Sequence, residues 1–266
     1  NPPAALNIIW SKINGPGEVS FAAPHALNTT AGFTLAGIYT LRLTVSDGEL
    51  TTSDDVTIVV NINNGGGTLT GSRAQPPSNI NLTTEGTADW AHWGLTSPTD
   101  FNHKSGVVQQ ISNYMLIGDV TPVRLDDNSK KYTWSDGIPA VSATNTPTAL
   151  FLYGVGNGFQ ITVPADTVQR TLKLYVSAFA TGGRLEATIS DGSASPYIDT
   201  SMISQATVDG VYTINYKAAS SGQLLTVNWT IDSMSVLHGN ITLQAATLAV
   251  TQPANQPPTV NAGADQ

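Results

Sequence analysis

Residues 38–45 read Ile-Tyr-Thr-Leu-Arg-Leu-Thr-Val, and their alternation decides the fold class. Tyr39, Leu41, Leu43 and Val45 share one face at period two, with Thr40, Arg42 and Thr44 opposite. A half-buried strand has this pattern. Asp47-Gly48 then turns the chain, and Asp55–Val60 reads as the next strand. The same grammar recurs further on. Leu172, Leu174 and Val176 alternate with Lys173 and Tyr175; Leu185, Ala187 and Ile189 alternate with Glu186 and Thr188, before a turn at Asp191-Gly192. Leu225, Val227, Trp229 and Ile231 alternate with Thr226, Asn228 and Thr230, which places Trp229 in a core. No stretch sets apolar residues at helical spacing between two caps. Short strands between Gly, Pro, Asn and Asp clusters predict an all-β chain of sandwich or jelly-roll type.

Composition agrees and narrows the function. Only 11% of the 266 residues are charged, which suits strands faced with Thr and Ser better than helices faced with Lys and Glu. Cysteine is absent, which excludes a disulfide framework, a thiolate metal site and a cysteine nucleophile. A net charge of -8 argues against nucleic acid as a partner, because that role needs clustered Lys and Arg. No apolar run reaches membrane-spanning length.

Two composition breaks divide the chain. Asn61–Gly67 is a flexible Asn- and Gly-rich run, and Gln252–Pro258 carries three prolines (Pro253, Pro257, Pro258). Before the first break, Ile9-Trp10-Ser11-Lys12, Gly15-Pro16-Gly17, Phe33, Ala36–Leu43, Val45-Ser46-Asp47-Gly48 and Asp54-Asp55-Val56 together resemble a polycystic-kidney-disease-type (PKD) immunoglobulin-like module. The resemblance implies a small sandwich with Trp10 in its core. The opening strand of such a module is not found before Trp10. Its pattern stands at the other end, as Pro257-Pro258-Thr259-Val260-Asn261-Ala262-Gly263-Ala264-Asp265-Gln266. The expected organisation is therefore a PKD-type module lacking its first strand (1–63), a linker and leading strand (64–78), a larger jelly-roll-like sandwich (79–251), and a linker with the first strand of a following module (252–266). Such a chain is expected to be a fragment, or one period, of a tandem array. An unpaired sandwich edge also invites strand addition by a neighbouring repeat or another copy, joined head to tail.

The central stretch, residues 81–248, resembles the β-sandwich modules that accompany such repeats in large secreted bacterial proteins. Thr83–Gly94, Phe101-Asn102-His103-Lys104, Tyr132–Gly137, Gly158–Asp166 and Asp191-Gly192-Ser193 carry the likeness. It implies a carbohydrate-binding module on a secreted or cell-surface protein, with polysaccharide as partner. A sugar offers an apolar C–H face and a rim of hydroxyls, so its site needs an aromatic plate with fixed polar groups beside it. The residues that supply both are Trp90, His92, Trp93, His103, Lys104, Trp134 and Asp136. On a strand Trp90 and His92 face one way and Trp93 the other, so at least one Trp belongs to the core. Each of Trp90, Trp93 and Trp134 stands between core and plate on this reading, while His103 and Lys104 read as polar loop residues.

Adjacent acids at Asp126 and Asp127 are the candidate oxygen ligands for calcium, although no EF-hand spacing surrounds them. His92 and His103 lack a third ligand at zinc spacing. Catalysis is poorly supported. The glutamates are Glu18, Glu49, Glu85 and Glu186, the aspartates lie chiefly in turns, and no nucleophile elbow, zincin motif or phosphate loop is present. A lyase built on His92, His103, Lys104 and Tyr132 is the enzymatic alternative. The expected function is non-catalytic polysaccharide binding, and the alternative outside carbohydrate chemistry is a structural or adhesive repeat of a stalk or filament.

Overall fold

The computed structural model describes residues 6–60, 66–234 and 238–251; the linker 61–65 and the expected strand at Pro257–Gln266 lie outside the described residues. The chain is all-β and forms two compact units, divided between Asn64 and Gly65.

The smaller unit contains β1 (Asn7–Asn14), β2 (Val19–Phe21), β3 (Ala31–Phe33), β4 (Gly37–Ser46) and β5 (Thr51–Val60). β4 lies between β1 and β5 in an antiparallel sheet, and β2 pairs with β3. The alternation in β4 is as read. Tyr39 and Leu41 are buried, while Arg42 faces outward and forms a two-pronged ion pair with Asp55, its partner in the ladder. Trp10 is half-buried, stacked on Phe21 at 6.4 Å, and its indole N–H donates to the Ala26 carbonyl at 3.1 Å. Gly15 has φ +140, and a Cβ there would stand 2.1 Å from the Tyr39 ring, so the turn after β1 closes only around glycine.

The larger unit runs β6 (Thr68–Ala74), β7 (Asn79–Asn81), the single helical turn α1 (Leu82–Glu85), β8 (Asp89–Trp93), β9 (Phe101–Lys104), β10 (Met115–Ile117), β11 (Val123–Leu125), β12 (Lys131–Trp134), β13 (Gly137–Ile138), β14 (Ala143–Thr146), β15 (Ala149–Tyr153) and β16 (Gly158–Ala165). It continues with β17 (Arg170–Phe179), β18 (Thr181–Ile189), β19 (Tyr197–Ile203), β20 (Thr207–Lys217), β21 (Gln223–Met234) and β22 (Asn240–Val250).

A nine-stranded sheet follows the order β13-β9-β8-β22-β17-β20-β6. β15 also pairs with β22, and β11 pairs with β15. A five-stranded sheet, β10-β16-β21-β18-β19, packs against it to make the sandwich. The residues read as inward fill this interface: Leu172, Leu174 and Val176; Leu185, Ala187 and Ile189; Leu225, Val227, Trp229 and Ile231. Gly183 lies against Trp229, where a Cβ would come within 2.0 Å of the indole, so the close approach of β18 to this ring depends on glycine.

The other face of the nine-stranded sheet is partly covered as well. A small sheet, β14-β12-β7, lies over it, and a second core of Ile80, Leu82, Trp90, Tyr132, Trp134, Tyr175, Val211 and Ala245 fills the gap. Tyr175, read as outward from β17, is thus also buried. Its side of the strand meets a third layer rather than solvent.

Candidate functional site

The expected plate is core. Trp90, Trp93 and Trp134 are 0%, 0% and 1% exposed, which corrects their reading as surface candidates. The period-two argument was right about direction: Trp93 enters the main sandwich, and Trp90 with His92 points to the opposite face. That opposite face is roofed by β12, so both directions lead inward. Each indole N–H is satisfied within the fold, by Asp136 for Trp90, Asn113 for Trp93 and the Ala140 carbonyl for Trp134, each at 2.9 Å.

Three of the expected residues do converge. Asp136 accepts hydrogen bonds from Trp90 Nε1, from Thr83 Oγ1 at 2.5 Å and from Lys104 Nζ at 2.5 Å. Burial opposes its ionisation, but these bonds from Lys104, Thr83 and Trp90 outweigh it and hold the carboxyl below its usual range. These bonds tie β9, α1 and β8 together through Asp136. His92 is fully buried between Tyr132 and Trp134, with Nε2 3.2 Å from the Thr148 carbonyl; burial pushes its pKa down to about 3, so it is neutral. His103 and Lys104 lie on β9 rather than in a loop, both half-buried, with His103 stacked on Phe101 at 5.3 Å.

The β8–β9 hairpin that carries these residues is held by Asp100. Its carboxylate accepts from the backbone and hydroxyl groups of Thr96 and Ser97. Burial again opposes ionisation, and those donors outweigh it, leaving the pKa at about 2. The folded pKa lies below the unfolded value, so this contribution is fully present above about pH 4 and is lost as pH falls through about 2. Asp100→Asn is expected to flatten the fall of the urea midpoint over that window; an unchanged slope would place the acid sensitivity elsewhere.

Asp126 and Asp127, the calcium candidates, diverge. Asp126 pairs with Arg124 at 3.0 Å, and among the described residues no three carboxylate, His or Cys groups come together.

What sequence reading missed is the uncovered remainder of the outer sheet face. Directly paired residues in neighbouring strands share a face, and the registers define two rows here. One runs Tyr153, Asn240, Phe179, Thr207 across β15, β22, β17 and β20; the next runs Phe151, Thr242, Ser177, Asp209. The loop from Leu125 to Ser129 borders them and closes a cleft of about 260 Å³. Its wall carries the hydroxyls of Ser129, Ser177, Thr207 and Thr242, the amides of Asn128 and Asn240, the Asp127 carboxylate and the Phe179 ring. Phe179 is 40% exposed, and Tyr153, at the far end of its row, is 48% exposed. The available signal was parity: Ser177 and Phe179 alternate with the core residues Val176 and Ala178, as Tyr153 does with Leu152.

No protein-family model matches the chain, and no curated protein matches it. Among solved structures, the enzymatically active domain of bacteriophage CBA120 tailspike protein 4 matches over 53% of this chain at 14% identity, with a TM-score of 0.34. The chain spans 20% of that tailspike chain. A structure described for the promiscuous specificity of carbohydrate-binding modules of the β-sandwich superfamily matches over 92% of this chain and 85% of its own, at 13% identity and a TM-score of 0.26. Neither likeness, at these scores, separates one function from another.

Proposed function

We propose that the larger unit binds polysaccharide on the uncovered part of the nine-stranded sheet, as a non-catalytic module of an extracellular protein. The observation that carries this reading is the row Tyr153, Asn240, Phe179, Thr207: two part-exposed rings separated by an amide and flanked by a hydroxyl. Aromatic faces take the C–H side of a pyranose, and fixed amides and hydroxyls take its rim. Strand spacing sets the backbones that carry the two rings about 10 Å apart, the scale of a disaccharide in an extended chain lying across the strands. Asp127 is the only cleft-lining side chain with an acid–base role open to it, so the cleft supplies contact and hydrogen bonds without the carboxyl pair that glycosidic cleavage uses.

The test is affinity electrophoresis followed by calorimetry against soluble plant, algal and bacterial polysaccharides. Saturable binding of at least one of them is expected. No binding to any member of such a panel would overturn the reading.

A further inference from the structure

We infer that the smaller unit takes in the segment Thr259–Ala264 of its own chain as an added strand beside β3. The registers of β1, β4 and β5 put Trp10, Leu43 and Asp54 in one row and Lys12, Leu41 and Val56 in the next, with Tyr39 and Ile58 beyond them. Paired residues share a face, so these rows form one side of the sheet. The β2–β3 pair covers only part of it, through Phe21 on Trp10 and Phe33 on Tyr39 at 4.7 Å. A hollow of about 390 Å³ remains between Trp10, Phe21, Phe33, Leu41, Val56 and Ile58. A second, of about 380 Å³, opens further along the same face at Leu6, Val45, Leu50 and Thr52. Val56 is 39% exposed and Leu50 75%. An apolar trough of this extent is a heavy loss of burial for so small a unit.

Shape and hydrogen bonding select a strand as its occupant. From Tyr39 to Val45 the face is about 20 Å long, the length of a six-residue strand. Ala31 and Phe33 both line the trough, and β3 pairs with β2 alone among the described residues. Thr30 and Thr34 make the ladder bonds to Ala22 and Glu18. By alternation, the N–H and C=O groups of Ala31 and Phe33 point away from β2, along the open side. An extended segment laid there completes those bonds and drops every second side chain into the trough. A small apolar molecule would fill the space and leave the ladder edge bare.

The chain outside the described residues comprises 1–5, 61–65, 235–237 and 252–266. The first three are too short for such a strand, and the first also carries Pro2 and Pro3, which lack a ladder N–H. The last contains the proline-free run Thr259-Val260-Asn261-Ala262-Gly263-Ala264, with Val260, Ala262 and Ala264 at period two. Their small side chains suit a trough already narrowed by three aromatic rings.

The larger unit delivers this segment at the right end. Val250, Arg170, Tyr216 and Leu69 form one row across β22, β17, β20 and β6. The chain therefore leaves β22 at the end of the sheet where it enters β6, about 14 Å away over three strand spacings. Residues 252–258 can span about 25 Å beyond that point. The linker 61–65 arrives at the same end, and Ile58 of the trough lies only two residues before it leaves β5 at Val60. A segment tethered this closely acts at about millimolar effective concentration, so the chain's own copy outcompetes a second molecule at ordinary protein concentrations.

The test combines acrylamide quenching, hydrogen exchange and light scattering on the full chain. Of the five tryptophans, Trp10 alone is not fully buried, the other four being 0–1% exposed, so quenching reports on the trough. The full chain is expected to be monomeric, with Trp10 shielded and the Ala31 and Phe33 amides protected. Removal of residues 252–266 is expected to raise quenching several-fold and speed exchange at those amides at least about tenfold. Excess synthetic peptide of residues 257–266 is expected to restore both. In the full-length chain, Val260→Lys sets a charge into the trough and is expected to act like the truncation, while Asn261→Lys, on the outward side of the added strand, is expected to change neither readout. Equal quenching and exchange with and without the tail overturn the inference. If truncation unfolds the smaller unit, the two lysine variants decide, and equal behaviour of the pair overturns it. Protection that fades on dilution of a dimer or larger species overturns the same-chain assignment in favour of exchange between copies.

Discussion

Trp134→Ala is expected to destabilise the larger unit by about 3–5 kcal/mol, seen as a large drop in its urea midpoint. The ring is 1% exposed, 5.2 Å from Trp90 and 5.0 Å from His92 between ring centres. Its N–H is the donor to the Ala140 carbonyl, and the backbone at Gly137 abuts it so closely that a Cβ there would lie 2.5 Å from Nε1. Removing the ring leaves a cavity in the second core and an unmatched carbonyl, and it strips the packing from a neutral buried histidine. Folding and binding readouts move in opposite ways under the alternative. A sugar plate at Trp134 would lose affinity on substitution and keep its midpoint. A loss below about 1 kcal/mol would show that Trp134 is a surface residue in solution.

The double variant Tyr153→Ala, Phe179→Ala is expected to lower polysaccharide affinity by about 100-fold, since each stacked ring contributes about 1–1.5 kcal/mol. Its midpoint is expected to move by only about 0.5–1 kcal/mol, because both rings are already substantially exposed. The single variants are expected to share the loss roughly equally if one glycan chain spans both. Affinity that survives the double change would remove the sheet face as the binding surface. These expected outcomes contrast with those at Trp134: the residues that look most like a sugar site in the sequence are expected to govern folding, and two inconspicuous aromatics to govern binding.

The reason lies in what alternation can and cannot encode. It gives the parity of each side chain, and that was legible. Tyr39 and Leu41 point in, Arg42 points out, Trp90 and Trp93 point opposite ways, and Trp229 sits in the main core. Parity does not say what covers a face. Every residue of β8 is buried: Trp90 and His92 lie under β12, which reaches back over that face from far along the chain, while Ala91 and Trp93 face the main sandwich with Asp89 on their side of the strand. Asp89 is tolerated because its carboxylate accepts from the backbone of neighbouring Trp90 and from that of Gln110 and Ile111, which a distant loop supplies. The cleft was illegible for the same reason. Leu150-Phe151-Leu152-Tyr153 and Val176-Ser177-Ala178-Phe179 read as ordinary strands, and only the pairing of β15 and β17 to opposite sides of β22 puts Tyr153 and Phe179 in one row. The convergence of Lys104, Trp90 and Asp136 was anticipated as a group, but its role was not, since shared hydrogen bonds do not reveal from sequence whether they face solvent or each other.

Strand β22 also bears on how the protein is made. Its residues from Ile241 to Leu248 are all buried, and it is clamped by β17 on one side and by β15 and β8 on the other. Among the described residues, the strand at the centre of the nine-stranded sheet is thus the last of its unit to leave the ribosome. Until it arrives, β8 and β15 lack the neighbour that joins them to β17, and the apolar faces of β16, β18 and β21 have no completed sheet to close against. The described strands of the smaller unit have all emerged by Val60, whereas those of the larger unit cannot close into their sandwich until β22 follows. Vectorial synthesis therefore delivers a threadable chain that becomes a domain only when its last strand is released.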